Sequence, residues 1–433
     1  MSRASARERL DAALARIDDA GGEGARACLT VYRAQALAAA EAADARARDG
    51  ISLGALDGAI VSIKDLFDVA GEVTRASSKV LAEEGSPALR DAVVVRRLRA
   101  AGAVIVAKTN MSEFAFTGIG INPHYGTPGN PADRARVPGG SSSGAAVAAA
   151  DGLCEIAIGS DTGGSCRIPA ALCGVVGFKP SRRRISTEGA FPLSYSLDSI
   201  GSLSKTVAGC AVADAVMAGE TPAAPEPVSL SGLRIGVVQG MPLENLDDTV
   251  ARRFPEGLDL LEKAGARLSN ETLPPIDDMV KALSRSSLLV AEAYAIHRDR
   301  LARRGAEIDP VVRGRLDKGG GIPAADYVDL TRLRGRLISI MDARLAELDV
   351  LAMPATAIVA PRLDEVADIK AFMARNALLL RNPTLANFFD LCAISLPLPR
   401  AGGLPAGLML VARNGHDHRL LRIAASVEQL LGT

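Results

Sequence analysis

Histidine is scarce in this chain, with four in 433 residues. A Ser-His-Asp triad needs one of His124, His297, His416 and His418 beside an activated serine. His416 and His418 fall in the polar turn NGHDH, where capping of the last helix is the expected role. His297 falls in a charge-rich helical stretch and is expected at the surface. The spacing supplies too few further ligands for a metal site, and neither metal nor cofactor is expected. Cysteine is also sparse: the six, at 28, 154, 166, 173, 210 and 392, include no C-x-x-C pair. In a chain this long that speaks against a disulfide framework and for a reducing, cytoplasmic setting. Charge of one sign is missing too. The 50 basic residues balance 50 acidic ones, so no general footprint for nucleic acid or an anionic membrane is expected. No apolar run approaches the roughly 18 residues of a membrane span. The N-terminal MSRASARERLDAALARIDDA lacks the apolar stretch of a signal peptide and reads as a surface helix. No G-x-x-x-x-G-K-[ST] phosphate loop occurs, and GSDTGG does not fit G-x-G-x-x-G. The basic run Lys179-Pro180-Ser181-Arg182-Arg183-Arg184 is a candidate to meet an anion, but solvated loop charge is the favoured reading.

What is present is apolar, 48% of the residues, and arranged in two periods. Residues 5–19, 30–48 and 91–101 read as amphipathic helices; in the last, Val94, Val95 and Leu98 share a face and Gly102 caps the end. AAVAAA (145–150) reads as a tightly packed helix. Short all-apolar runs at 59–63, 104–107, 154–159, 233–240, 349–355 and 407–412 read as buried strands. This alternation predicts an α/β protein whose strands are covered on both faces. The Pro-rich stretch at 219–227 is either a linker between domains or a loop within one large sheet; composition leaves both open.

With histidine set aside, serine is the remaining nucleophile. Ser141, Ser142 and Ser143 stand together in PGGSSSG, and Ser165 closes the glycine pair in GSDTGGSCRIP. A serine hydroxyl attacks only when a base takes its proton, and here the base is a carboxylate or a lysine made neutral by burial. Lys64 follows the apolar run AIVSI at the point where a strand end would present it inward. It reads equally as a surface lysine closing a strand. The glycines before Ser165 read as an ordinary turn or as a set of backbone N–H groups aimed into one space, the arrangement an oxyanion hole needs. Each feature alone is weak; the combination is not.

Together these residues resemble the amidase signature family of serine hydrolases. The similarity is dense from about 56 to 210, in LDGAIVSIKDLFDVAG, AGAVIVAKTNMSEFAFTG, NPHYGTPGNP, PGGSSSGAAVAAADG, IGSDTGGSCRIPAALCGVVGFKPS and SLDSIGSLSKTV. It continues more weakly in DVLAMPATAIVAP and GLPAGLMLVARNGHDHRLL. The resemblance implies one α/β domain over 1–433, a large mixed β-sheet flanked by helices on both faces. A helical segment at about 1–50, a signature core at about 56–210 and a variable second half at about 233–433 would make it up, with 219–227 a loop between halves of one sheet. It implies Lys64 as general base, Ser141 in a cis conformation as proton relay, and Ser165 as nucleophile. The oxyanion hole maps to the amides of Thr162, Gly163 and Gly164, with Ser165 contributing. Met111, Tyr125, Tyr195 and Phe388 are the positions expected to touch the acyl group. The implied activity is hydrolysis of a small-molecule carboxylic amide to acid and ammonia or amine, and dimers of like chains are common in the family. Two alternatives accompany it: the glutaminase subunit of a tRNA-dependent amidotransferase, and a catalytically silent binding protein on the same fold. The chain departs from the family pattern at Cys166, at Ser181 and in the arginine run that follows. SRRRISTEG and YSLDSIG, where the amidotransferase subunits carry other text, make that subunit role the lesser expectation.

Overall fold

The structure, a computed structural model, describes residues 4–432; the first three residues and Thr433, at the two ends of the expected domain, lie outside it. One 11-stranded sheet runs through the whole chain. Its strands are β1 (Cys28–Val31), β2 (Ile60–Lys64), β3 (Val104–Thr109), β4 (Ile156–Asp161), β5 (Val176–Lys179), β6 (Ser199–Ser204), β7 (Arg234–Val238), β8 (Arg267–Glu271), β9 (Val350–Pro354), β10 (Cys392–Pro397) and β11 (Gly407–Ala412). The order is β1-β3-β2-β4-β6-β5-β10-β11-β9-β7-β8. The sheet is mixed: β3, β2 and β4 are parallel neighbours, whereas β6 is antiparallel to both β4 and β5.

The apolar runs that predicted strands are strands because both of their faces are covered. Every residue of β2, β3, β4, β9 and β11 is buried. Alternation sorts their side chains, as a period of two requires. Val61 and Ile63 pack with Val94, Val95 and Leu98 of the helix Val93–Ala100. Ile60 packs on the other face with Leu10, Ala40, Ala145 and Val147, from the helices Ala6–Asp18, Arg33–Arg48 and Ser143–Asp151. The first helix buries Ala6, Leu10, Ala13 and Ile17 and opens with a capping box, in which Glu8 N donates to Ser5 Oγ at 3.1 Å and Ser5 N to Glu8 Oε2 at 2.8 Å. Among the described residues no helix is long and apolar enough to cross a membrane.

The Pro-rich stretch at 219–227 is a loop inside this one sheet, between the helix Val207–Ala218 and β7. Three expectations are corrected. Residues 30–32 are not the start of the helix expected over 30–48: 30 and 31 end the edge strand β1, antiparallel to β3, and Tyr32 N donates to Val106 O at 2.8 Å before the helix begins at Arg33. The arginine run is not solvated charge. Arg184 pairs with Asp214 at 2.8 Å and Glu220 at 2.6 Å, Arg182 donates to Tyr195 O at 3.3 Å, and only Arg183 is exposed. His416 precedes the helix Asp417–Leu431 without a side-chain capping bond, and His418 lies 3.0 Å from Glu220 instead.

Candidate active site

Lys64 is the last residue of β2, and the parallel register of β2 with β4 sets its neighbours. The side chain is fully buried, and its Nζ is hydrogen-bonded to Ser141 Oγ at 2.8 Å and to Ser160 Oγ at 2.9 Å. Among the described residues no carboxylate bonds it. Burial therefore pushes the ammonium down to about 8, a shift that the more distant Cys166, Asp161 and Asp198 only partly oppose.

Ser141 is delivered by a tightly tied loop. The Gly140–Ser141 peptide is cis. Gly140 N donates to Gly118 O at 2.8 Å and Ser112 N to Ser141 O at 3.1 Å. A Cβ at Gly140 would stand 2.8 Å from the Gly120 backbone, so nothing larger than glycine fits there. Ser142 and Ser143 serve the loop and the helix behind it: Ser142 Oγ donates to Ser160 O at 3.3 Å and Ser143 Oγ to Asn110 O at 3.5 Å.

Ser165 lies in the turn between β4 and the helix Arg167–Cys173 and is buried, and its carbonyl accepts from Ser142 N at 3.2 Å. Lys64 and Ser141 thus touch directly, whereas Ser165 joins them through the main chain. The turn is organised by Asp161, the last residue of β4, which accepts from Gly164 N at 2.8 Å and Cys166 N at 3.0 Å and pairs with fully buried Arg167 at 2.8 Å. Burial works to raise the Asp161 carboxyl, and Arg167 overrides it, holding it below the ordinary carboxylate range. Gly164 is accordingly removed from the expected set of oxyanion donors, because its N–H is already spent on Asp161. The amides of Thr162, Gly163 and Ser165 find no acceptor among the described residues and stay open to a ligand.

Beside the turn is a cavity of about 160 Å³, walled by Leu66, Ala115, Phe191, Leu193 and Ile200, with Ser160, Thr162 and Asp198 as polar groups. Thr162 Oγ1 donates to Asp198 Oδ1 at 2.6 Å, and Leu193 N and Ser194 N donate to its other oxygen at 2.9 and 3.1 Å. Burial lifts the Asp198 carboxyl to about 6. A larger groove of about 550 Å³, lined by Arg9, Glu155 and Lys205, includes none of these residues. Of the four positions expected to touch an acyl group, only Tyr195 lines the cavity, and the residue is 71% exposed. Met111 and Phe388 are buried in separate parts of the core, and Tyr125 lies under Arg75 with the guanidinium 5.9 Å from its ring. The structure does not bring these four together. His297, expected outside, is fully buried with its ring 4.1 Å from Phe114 and 5.6 Å from the cavity residue Phe191. Burial and the neighbouring Arg300 push it down to about 3, so it is neutral packing and not a base. Ser160, Asp161 and Asp198 went unread in the sequence, although IGSD and SLDSIG contain them.

Comparisons with known proteins identify the family. The sequence matches the Amidase family over residues 8–421. It is 34% identical over 405 residues to the 2-amino-5-chloromuconic acid deaminase of Comamonas testosteroni, covering 92% of this chain and 87% of that one. It is 35% identical over 445 residues to a glutamyl-tRNA(Gln) amidotransferase subunit of Koribacter versatilis, covering 94% and 91%. Among solved structures, an inhibitor-bound chain from a vestigial complex, described as revealing the origins of an s-triazine catabolic enzyme, superposes with a TM-score of 0.90 at 32% identity, covering 99% of this chain and 96% of that one. By sequence and by fold, this chain belongs to the amidase family of hydrolases.

Proposed function

We propose that the protein hydrolyses a carboxylic amide through an acyl-enzyme on Ser165, with Lys64 as base and Ser141 as relay. One observation carries the reading: a fully buried lysine whose hydrogen-bond partners are two hydroxyls, one of them on the loop bonded to Ser165. Neutral Lys64 takes the proton of Ser141, which takes that of Ser165 as its Oγ attacks the amide carbon. The hydrogen bond from Ser165 Oγ to Ser141 Oγ that this transfer needs forms when substrate is in place. The oxyanion is received by the open amides of Thr162, Gly163 and Ser165, each donor of this kind contributing about 3 kcal/mol in the transition state. The same relay in reverse protonates the leaving nitrogen, the C–N bond breaks, and water then splits the ester to free acid and Ser165.

A fluorophosphonate probe tests this by labelling. The adduct is expected on Ser165; an adduct on Ser141, Ser142 or Ser143 contradicts the assignment. The base has its own signature. Because Lys64 works in its neutral form, kcat/KM rises as pH passes upward through about 8 and levels above it. Lys64→Arg removes that rise and is as damaging as Lys64→Ala, since a guanidinium does not deprotonate near neutrality. A Lys64→Arg enzyme of near wild-type rate excludes lysine as the base. The similarity to an amidotransferase component supports a second reading, release of ammonia from glutamine for a partner. Ammonia release from glutamine that depends on added partner proteins, in a panel that includes small amides, distinguishes the two.

A further inference from the structure

Among the described residues, several inner arginines meet a carboxylate. Arg167 meets Asp161, Arg75 meets Asp65, Arg184 meets Asp214 and Arg334 meets Asp390. Arg315, on the helix Pro310–Asp317, has neither an ion pair nor a hydrogen bond among the described residues, and its Nη1 is buried without a partner. Burial alone acts on the guanidinium, pushing it down to about 10, with no carboxylate near enough to oppose the shift. Its one favourable contact is the face of Phe116, 4.3 Å from the ring centre. An aromatic face returns only part of what removing a cation from water costs, and it leaves the N–H donors of the buried Nη1 unmet. The side chain as a whole is partly exposed, so a molecule arriving from solvent can reach it.

Its helix is packed beside the segment that borders the cavity. Phe116 sits between Ala115, which lines the cavity, and Gly118, whose carbonyl accepts from Gly140 N beside Ser141. The helix bearing Arg315 is fastened to the same segment, since Asp309 N at its start donates to Glu113 Oε2 at 2.7 Å. Val311 of that helix packs against the hydrophobic cluster that contains Ile119 and Ile168, the latter three residues beyond Ser165. The cavity wall itself carries no lysine or arginine.

We propose that Arg315 holds a carboxylate of the substrate, so that the enzyme acts on amides that carry a carboxylate away from the scissile bond. The planar fork of a guanidinium matches a carboxylate in two parallel hydrogen bonds, and such a ligand supplies the counter-charge the protein withholds. This rests on the amide-hydrolysis reading and names its substrate class. The test compares the monoamides of malonic, succinic and glutaric acids with their neutral diamides. Wild type is expected to prefer a monoamide, and Arg315→Met to reduce the ratio of the two kcat/KM values by about 30-fold or more, with Arg315→Lys between them. A wild type without that preference, or an unchanged ratio in Arg315→Met, overturns the proposal. Should Arg315→Met not fold, wild type alone decides: succinate must slow fluorophosphonate labelling at concentrations where succinamide does not, and equal slowing overturns it. Failure of the probe to label Ser165 at all tells against the acyl-enzyme instead, a separate result.

Discussion

Ser165→Ala is expected to lower turnover on the order of 10⁵-fold while leaving the urea unfolding midpoint unchanged. The size follows from losing the atom that forms the acyl bond; loss of a serine nucleophile in a comparable relay costs that much or more. What remains is the contribution of the backbone donors and of binding, which do not depend on the hydroxyl. The unchanged stability follows from the turn. Ser165 Oγ makes no hydrogen bond within the protein among the described residues, and the carbonyl that accepts from Ser142 N is untouched by the substitution. Residual activity within tenfold of wild type, measured on protein free of contaminating amidase, removes Ser165 from the chemistry. A large drop in the midpoint would show instead that the hydroxyl is structural.

Asp161→Ala has the largest expected effect on stability, about 3–5 kcal/mol. It leaves Arg167, fully buried, as an uncompensated cation, and it strips the acceptor from the amides of Gly164 and Cys166 and from Asn387 Nδ2 at 2.9 Å. Arg167→Met is milder, because the carboxylate keeps those three donors. The order of the two variants is therefore the sharper measurement, read from urea midpoints, and a milder Asp161→Ala refutes this account of the turn. Because the Asp161 carboxyl is held below the ordinary aspartate value of about 3.9, its contribution is whole above that pH and is lost only as pH falls further, through its folded-state value.

How much of this was legible in the sequence depends on the kind of interaction. β2, β3 and β11 were legible because a strand covered on both faces is apolar throughout. β6 reads SIGSLS and β8 reads RLSNE; one is a buried strand of small and hydroxyl residues, the other lies at the sheet edge, so neither shows an apolar run. β1 was hidden by the alanine-rich helix that follows it. Lys64, Ser141 and Ser165 were legible as motifs, but what surrounds them was not. Asp161 and Arg167 are six residues apart and identifiable as a pair only once the turn has form. His297 lies among charges in the sequence because its helix turns one face to solvent, while Phe114 and Phe191, more than a hundred residues away, cover the other. Arg315 is one of many arginines on paper; what sets it apart in space is a buried Nη1 without a hydrogen-bond partner.

The sheet order also has a consequence for how the protein comes into being. Lys64, Ser141 and Ser165 all lie in the first half of the chain, yet the turn holding Ser165 is finished by the last quarter. Arg167 Nη1 donates to Pro383 O across 216 residues, and Asn387 Nδ2 donates to Asp161 O across 226. β10, which joins the two halves of the sheet by pairing with β5, begins only at Cys392. A ribosome-bound chain that has just released Ser165 therefore has neither the second half of its sheet nor the carbonyl and amide that fix Arg167 and Asp161. The turn that holds Ser165 is completed only after residues 383–392 have been made, and with them the long-range pairing that is slowest to form.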